Sequence, residues 1–205
     1  VPVYNEAGTI RGILEKINLV DIDKEIIVVD DGSGDGTDRI LREIRYNNLK
    51  VIHHSGNRGK GAAILTGLVN AKAEFVIIQD ADLEYDPNDY LKLIEPLTQG
   101  EADLVLGARF TKGYRGFLIH RWGNIFLTSL LNILFNARLN DCFTCYKLLR
   151  TETLNLLGLK AKSFNIEIEI ITKAIRNKLR VLEIPASYHP RLRSEGKKIR
   201  LRDGI

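Results

Sequence analysis

With 205 residues and ordinary apolar, charged and glycine contents, the chain is long enough for one core-bearing domain and hardly two. Its formal charge of +4 is unevenly spread: Arg191, Arg193, Lys197, Lys198, Arg200 and Arg202 stand against Glu195 alone near the end, a cluster that wants phosphate, nucleic acid or an anionic membrane surface. Only two cysteines, Cys142 and Cys145, argue against a disulfide-stapled secreted scaffold and point to a reducing compartment.

The chain opens on Val1-Pro2-Val3-Tyr4, which reads as the end of a strand, so the expectation is a trimmed sequence whose first strand is mostly missing. Ile10, Ile13, Leu14 and Ile17 then make one buried helical stripe. Glu25 to Val29 reads as a buried strand ending in Asp30-Asp31-Gly32-Ser33-Gly34-Asp35-Gly36, followed by a helix with Ile40, Leu41 and Ile44 inward. A short strand over Lys50 to His53, the loop Gly56 to Gly61 and a helix over Ala62 to Ala71 come next. A strand from Glu74, a helix from about Pro87 and a strand over Asp103 to Gly107 complete the first half. Strands alternating with helices on short connections predict an α/β fold with a mostly parallel central sheet, its ligand crevice at the carboxyl ends of the strands.

Beyond Gly107 the pattern changes. Residues 117–136 are very apolar, but Arg121, Asn124 and Asn132 interrupt them too often for a spanning helix. A core helix and a helix lying in a membrane interface both fit this stretch. Ser163 to Lys178 reads as a helix, and Arg180 to Tyr188 as a strand bearing Pro185.

The strand from Glu74 ends in three acids at alternate positions, Asp80, Asp82 and Glu84. In extended chain they would point the same way, as hard oxygen ligands for a divalent cation such as Mg²⁺ with a diphosphate completing its shell. Helix capping is the competing reading, and it suits Asp86-Pro87-Asn88-Asp89 better. The glycines at 32–36 lack the dinucleotide-binding spacing, and Gly56 to Gly61 lacks that of a phosphate loop, which argues against a dehydrogenase or a P-loop enzyme.

Four motifs occur in order: Pro2-Val3-Tyr4-Asn5-Glu6, Val28-Val29-Asp30-Asp31-Gly32-Ser33, Asn57-Arg58-Gly59-Lys60-Gly61-Ala62 and Asp80-Ala81-Asp82. In them the chain resembles family 2 glycosyltransferases of the GT-A fold. The second half resembles the dolichol-phosphate mannose synthases and bacterial polyprenyl-phosphate glycosyltransferases, through Gly107-Ala108-Arg109-Phe110, Asp141 with Thr144-Cys145-Tyr146-Lys147, and Glu183-Ile184-Pro185 leading to Arg191. At the end Ser194-Glu195-Gly196-Lys197 departs from the Gly-Glu-Ser-Lys more usual there.

The resemblance implies a single GT-A domain, with a nucleotide-sugar half over 1–107 and an acceptor half over 108–205. It implies that Pro2, Tyr4, Glu6, Val29, Asp31, Asp80, Ala81 and Asp82 hold the donor, and that Asp80 and Asp82, with Glu84 nearby, hold Mg²⁺ or Mn²⁺. An acceptor that is already an ionised lipid phosphate needs no base and wants a basic site beside apolar surface. Arg109, Arg121, Arg191, Arg193 and Lys197 near residues 122–135 fit that need. Asp141 is then an orienting acid, and the general base if the acceptor is instead a sugar hydroxyl.

The expected partners are a nucleotide-diphospho-sugar, a polyprenyl phosphate and a membrane surface, and no nucleic acid. The expected reaction is inverting transfer of mannose or glucose at the cytoplasmic face of a membrane, with any anchor outside this chain. Transfer to a sugar hydroxyl, and a non-catalytic nucleotide-sugar-binding or scaffold subunit, are the alternatives. The acidic cluster speaks against the scaffold.

Overall fold

The computed structural model describes residues 1–109 and 118–191; of residues 118–121 it describes the backbone alone. The first half builds a three-stranded parallel sheet from β1 (Pro2–Val3), β2 (Ile26–Asp30) and β3 (Leu49–His53), in that order. Its helices are α1 (Ile10–Leu19), α2 (Thr37–Glu43) and α3 (Lys60–Asn70). Ile10, Ile13, Leu14 and Ile17 are all buried, so α1 packs through the stripe its periodicity predicts. Val28 pairs with Val51, and Pro2 with Val29.

A second sheet follows the order β4-β6-β5-β7, from β4 (Phe75–Ile77), β5 (Leu104–Ala108), β6 (Lys147–Arg150) and β7 (Val181–Pro185). Strand β6 runs antiparallel to both β4 and β5, whereas β5 and β7 are parallel. The parallel expectation therefore holds for the first sheet and is broken in the second by β6, which the periodicity did not reveal. Nor did it reveal α6 (Thr151–Leu156) directly after β6. The remaining helices are α4 (Tyr90–Thr98), α5 (Leu118–Phe135) and α7 (Ile166–Arg176).

Asp86 caps the turn Pro87–Asp89, its carboxylate accepting from the Asn88 N–H at 3.0 Å with Pro87 first in the turn, so it stands apart from the acidic cluster as expected. One core joins the two halves, with Leu14, Val28, Leu93, Leu104, Leu149 and Ile170 among its members. A cavity of about 490 Å³ between β1 and β4 is lined by apolar residues such as Val29, Ile64, Val76 and Ile94, and by neither Asp80 nor Asp82.

Helix α5 is amphipathic in reverse. Asn124, Thr128 and Leu131 face inward, while Trp122 and Phe126 at 68% exposure, Ile133 at 79% and Leu134 at 68% face outward. Of the two readings of this stretch, a plain core helix would bury those residues. Among the described residues no helix is long and apolar enough to cross a membrane.

Candidate active site

The polar loops at the carboxyl ends of the strands are stitched into a ring. The Asn5 N–H donates to Ser33 Oγ at 2.9 Å, the Glu6 N–H to Thr37 Oγ1 at 2.9 Å, and the Ala7 N–H to Asp35 at 3.1 Å, which ties the loop after β1 to the loop after β2. Asp31 ties that loop to the next: it accepts from the N–H groups of Arg58 and Gly59 and lies 2.6 Å from His54 Nδ1. The two loops approach so closely that a Cβ on Gly32, whose φ is +74°, would lie 2.6 Å from the Gly56 backbone. Gly61 is used likewise, with Ala161 O only 2.3 Å from where a Cβ would stand. These glycines let backbone meet backbone, which explains spacings that match no phosphate-binding fingerprint.

From Lys60, at the start of α3, the ring continues to the acids. Its ammonium lies 2.8 and 3.0 Å from the two oxygens of Asp80 and 2.8 Å from Glu167 Oε1 on α7. Fully buried Lys147 on β6 pairs with the other Glu167 oxygen. Four charges of alternating sign thus run inward from Asp80, the arrangement buried ions need. Burial alone would raise Asp80, but Lys60 holds it below the usual carboxylate range.

Asp82 is different. Burial, with Asp80 and Glu84 close by, pushes its carboxyl up to about 7 against the weaker pull of Arg191, whose nearest nitrogen is 3.6 Å away. It is an acid short of positive charge, 20% exposed at the mouth of the ring.

The three acids do not converge as period-two spacing predicts. Strand β4 stops at Ile77, the chain turns with Leu83 at φ +62°, and Glu84, though near Asp82, turns its carboxylate toward segment 188–191. Its carboxylate accepts from the Tyr188 hydroxyl and, at 2.9 Å, from the Arg191 N–H, so it clasps segment 188–191 and does not sit with Asp80 and Asp82 as a third ligand. Among the described residues no group of three acids, histidines or cysteines is placed to hold a metal by itself.

The expected donor residues fall into two groups. Tyr4, 42% exposed, and Glu6 border the ring, and Glu6 takes Arg191 Nη1 at 3.0 Å and Nη2 at 3.3 Å. Val29 and Ala81 are buried, leaving only backbone to offer a ligand, and Pro2 is built into β1. The Arg58 and Gly59 N–H groups and His54 Nδ1 all meet the Asp31 carboxylate, which fixes it in the loop. His54, for which the sequence offers no ligand spacing, has a buried side chain that bridges Asp31 to Thr66 at 2.9 Å.

In the second half, Asp141 is fully buried and accepts four hydrogen bonds: from Arg109 N–H at 3.0 Å, Nε at 2.8 Å and Nη2 at 2.8 Å, and from Asn124 on α5 at 2.9 Å. Burial would raise it, but the Arg109 guanidinium outweighs that and holds it below its ordinary value. Of the two expected roles of Asp141, this geometry favours orienting the arginine over acting as a general base. Arg109 also stacks over Tyr188 at 5.5 Å, beside the segment Glu84 clasps. The side chain of Arg121, and Arg193 and Lys197 altogether, lie outside the described residues.

The model of the family described as Glycosyl transferase family 2 matches residues 1–157. The chain belongs to that family. It is 28% identical to the dolichol-phosphate mannosyltransferase of Pyrococcus furiosus over 96% of its own length and 57% of that protein's. It is 30% identical to the UDP-N-acetylglucosamine–dolichyl-phosphate N-acetylglucosaminyltransferase of Methanococcus voltae, over 90% of this chain and 82% of that one. In three dimensions it superposes on glucosyl-3-phosphoglycerate synthase from Mycobacterium tuberculosis, solved with Mn²⁺ and UDP-glucose, with a TM-score of 0.70 at 24% identity over 95% of this chain and 71% of that one. That likeness establishes the GT-A fold of this family 2 glycosyltransferase chain. The chain thus spans little more than half of the Pyrococcus protein and most of the Methanococcus one.

Proposed function

We propose that this chain is the catalytic domain of an inverting, metal-dependent glycosyltransferase that moves a sugar from a nucleotide-diphospho-sugar to a polyprenyl phosphate. The observation that carries the acceptor class is Asp141. Its four lone-pair sites are filled by Arg109 and Asn124, so the acid that would activate a hydroxyl is spent on orienting an arginine. A phosphate monoester arrives already ionised and needs positive charge instead, which Arg109 offers beside Tyr188. The naming of the Pyrococcus and Methanococcus relatives as transferases of dolichyl phosphate supports the same class.

The donor lies in the ring, with Tyr4 and Glu6 at the nucleoside end and Asp80 and Asp82 at the diphosphate end. The donor set fits Mg²⁺ or Mn²⁺: Asp82 is a partly exposed oxygen ligand short of positive charge, beside an Asp80 already fixed by Lys60. Bound there, the cation would neutralise the departing diphosphate. Lys60 fixes Asp80, and the phosphate oxygen of the acceptor attacks the anomeric carbon from the face opposite the leaving group. Inversion follows from one nucleophile, the acceptor phosphate, displacing one leaving group.

The outward face of α5 carries Trp122, Phe126, Leu130, Ile133 and Leu134. Such a stripe on a helix not long and apolar enough to span suits the headgroup boundary of a membrane, where a lipid acceptor resides. The testing experiment offers a panel of radiolabelled nucleotide sugars with and without polyprenyl phosphate, in Mn²⁺. Organic-extractable, mild-acid-labile product is expected; water-soluble or polymeric product would instead favour a hydroxyl acceptor.

A further inference from the structure

Arg191 belongs by expectation to the acceptor side, yet its guanidinium lies in the donor ring. It forks onto both oxygens of Glu6, and Nη2 is 3.6 Å from Asp82 Oδ2. Its main chain is fixed separately: its own N–H is held by Glu84 Oε1, and the His189 N–H donates to the Glu84 carbonyl at 2.7 Å. The side chain can therefore move while segment 188–191 stays docked.

Two further facts mark the position as provisional. Arg191 is the nearest basic side chain to Asp82 among the described residues, but at 3.6 Å it makes no hydrogen bond there. Its Nε is buried without a hydrogen-bond partner among the described residues, so part of the fork is unused. A small divalent cation brings twice the charge to the same carboxylate and can take it. One guanidinium cannot grip Glu6 and Asp82 and a phosphate at once.

We propose that Arg191 is a built-in stand-in cation. It covers Glu6 and Asp82 while the donor is absent, and on release by the donor's cation it turns to the acceptor phosphate, so that acceptor binding follows donor binding. This rests on the assignment of Asp82 to the metal and of a lipid phosphate as acceptor.

The test measures equilibrium binding without turnover. Mn²⁺ alone is titrated, by its electron paramagnetic resonance signal, into the wild-type chain, Arg191→Ala and the length-preserving Arg191→Gln. Both variants are expected to bind Mn²⁺ about 5-fold more tightly, as removal of one partly screened competing charge would give. Unchanged or weaker affinity in whichever variant folds overturns the stand-in role. Separately, a short-chain polyprenyl phosphate is titrated with and without Mn²⁺ plus GDP or UDP. The wild type is expected to bind it about 10-fold more tightly when both are present, and the variants to lose that dependence. Equal wild-type affinity in the two conditions overturns the ordering. A chain that binds Mn²⁺ and a nucleoside diphosphate but never the lipid phosphate overturns the acceptor reading and the ordering with it, whereas the Mn²⁺ titration still decides the stand-in role.

Discussion

Arg109 and Asp141 form a closed fork, with Nε and Nη2 each 2.8 Å from a different carboxylate oxygen and the Arg109 main-chain N–H adding a third bond. The geometry fixes the plane of the guanidinium before any ligand arrives, which is what bidentate phosphate recognition requires. Asp141→Asn would present an amide N–H₂ to a cation and tilt the fork. The expected result is a KM for polyprenyl phosphate raised about 10-fold with little change in the KM for donor. Steady-state kinetics with each substrate varied in turn checks this, and an effect confined to the donor would contradict it.

The same pair sets an acid limit on stability. Asp141 lies below its ordinary value in the folded chain, so its contribution is complete above the unfolded value of about 4 and is lost as pH falls through the folded one. Denaturant midpoints measured from pH 6 down to pH 3 should fall in the wild type. In Asp141→Asn they should start lower, by roughly 3 kcal/mol for a broken buried pair, and decline less steeply.

Asp82→Ala removes the one acid of the cluster that is short of positive charge. Transfer should become undetectable at any Mn²⁺ concentration, while the melting temperature changes little because the partly exposed side chain makes one hydrogen bond, from the Glu84 N–H at 3.1 Å. Undiminished, metal-responsive activity would refute the assignment.

Trp122 is the single tryptophan of the chain and is 68% exposed on α5. Its fluorescence should shift to the blue when vesicles containing anionic lipid are added, and Phe126→Ser with Ile133→Ser should weaken vesicle co-sedimentation by at least about 10-fold, given roughly 1.5 kcal/mol or more per large apolar side chain. An unmoved emission maximum would argue against a lipid-seated helix.

Glu167→Gln leaves Lys147 buried with its charge unpartnered and loosens Lys60 from below. A loss of about 3 to 5 kcal/mol in unfolding free energy is expected. Denaturation at neutral pH measures it.

The helices and strands were legible where one face alone is buried, as with Ile10, Ile13, Leu14 and Ile17. Strand β6 was hidden because Lys147 reads as surface, and only the folded chain places Glu167 beside it. The alternate spacing of the acids after β4 makes a converging trio only in extended chain; the turn at Leu83 breaks that period and sends Glu84 to Tyr188 and Arg191. Asn124 looked like an intrusion in an apolar helix, and its partner Asp141 lies seventeen residues on. His54 carried no signal, since its partners Asp31 and Thr66 come from separate loops. The motifs name residues that meet at the ring; they did not reveal which of their side chains are spent holding one another.

Asn124 joins two of these features into one rigid part. Its helix turns Trp122 and Phe126 outward, while its amide grips the carboxylate that aims Arg109. Settled in a bilayer, α5 would act as a depth gauge, setting Arg109 roughly one helix diameter, about 10 Å, above the plane of the buried aromatics. How deeply the helix floats would then decide whether the guanidinium meets a lipid's phosphate or passes over it, making bilayer thickness and headgroup packing parameters of the reaction rate.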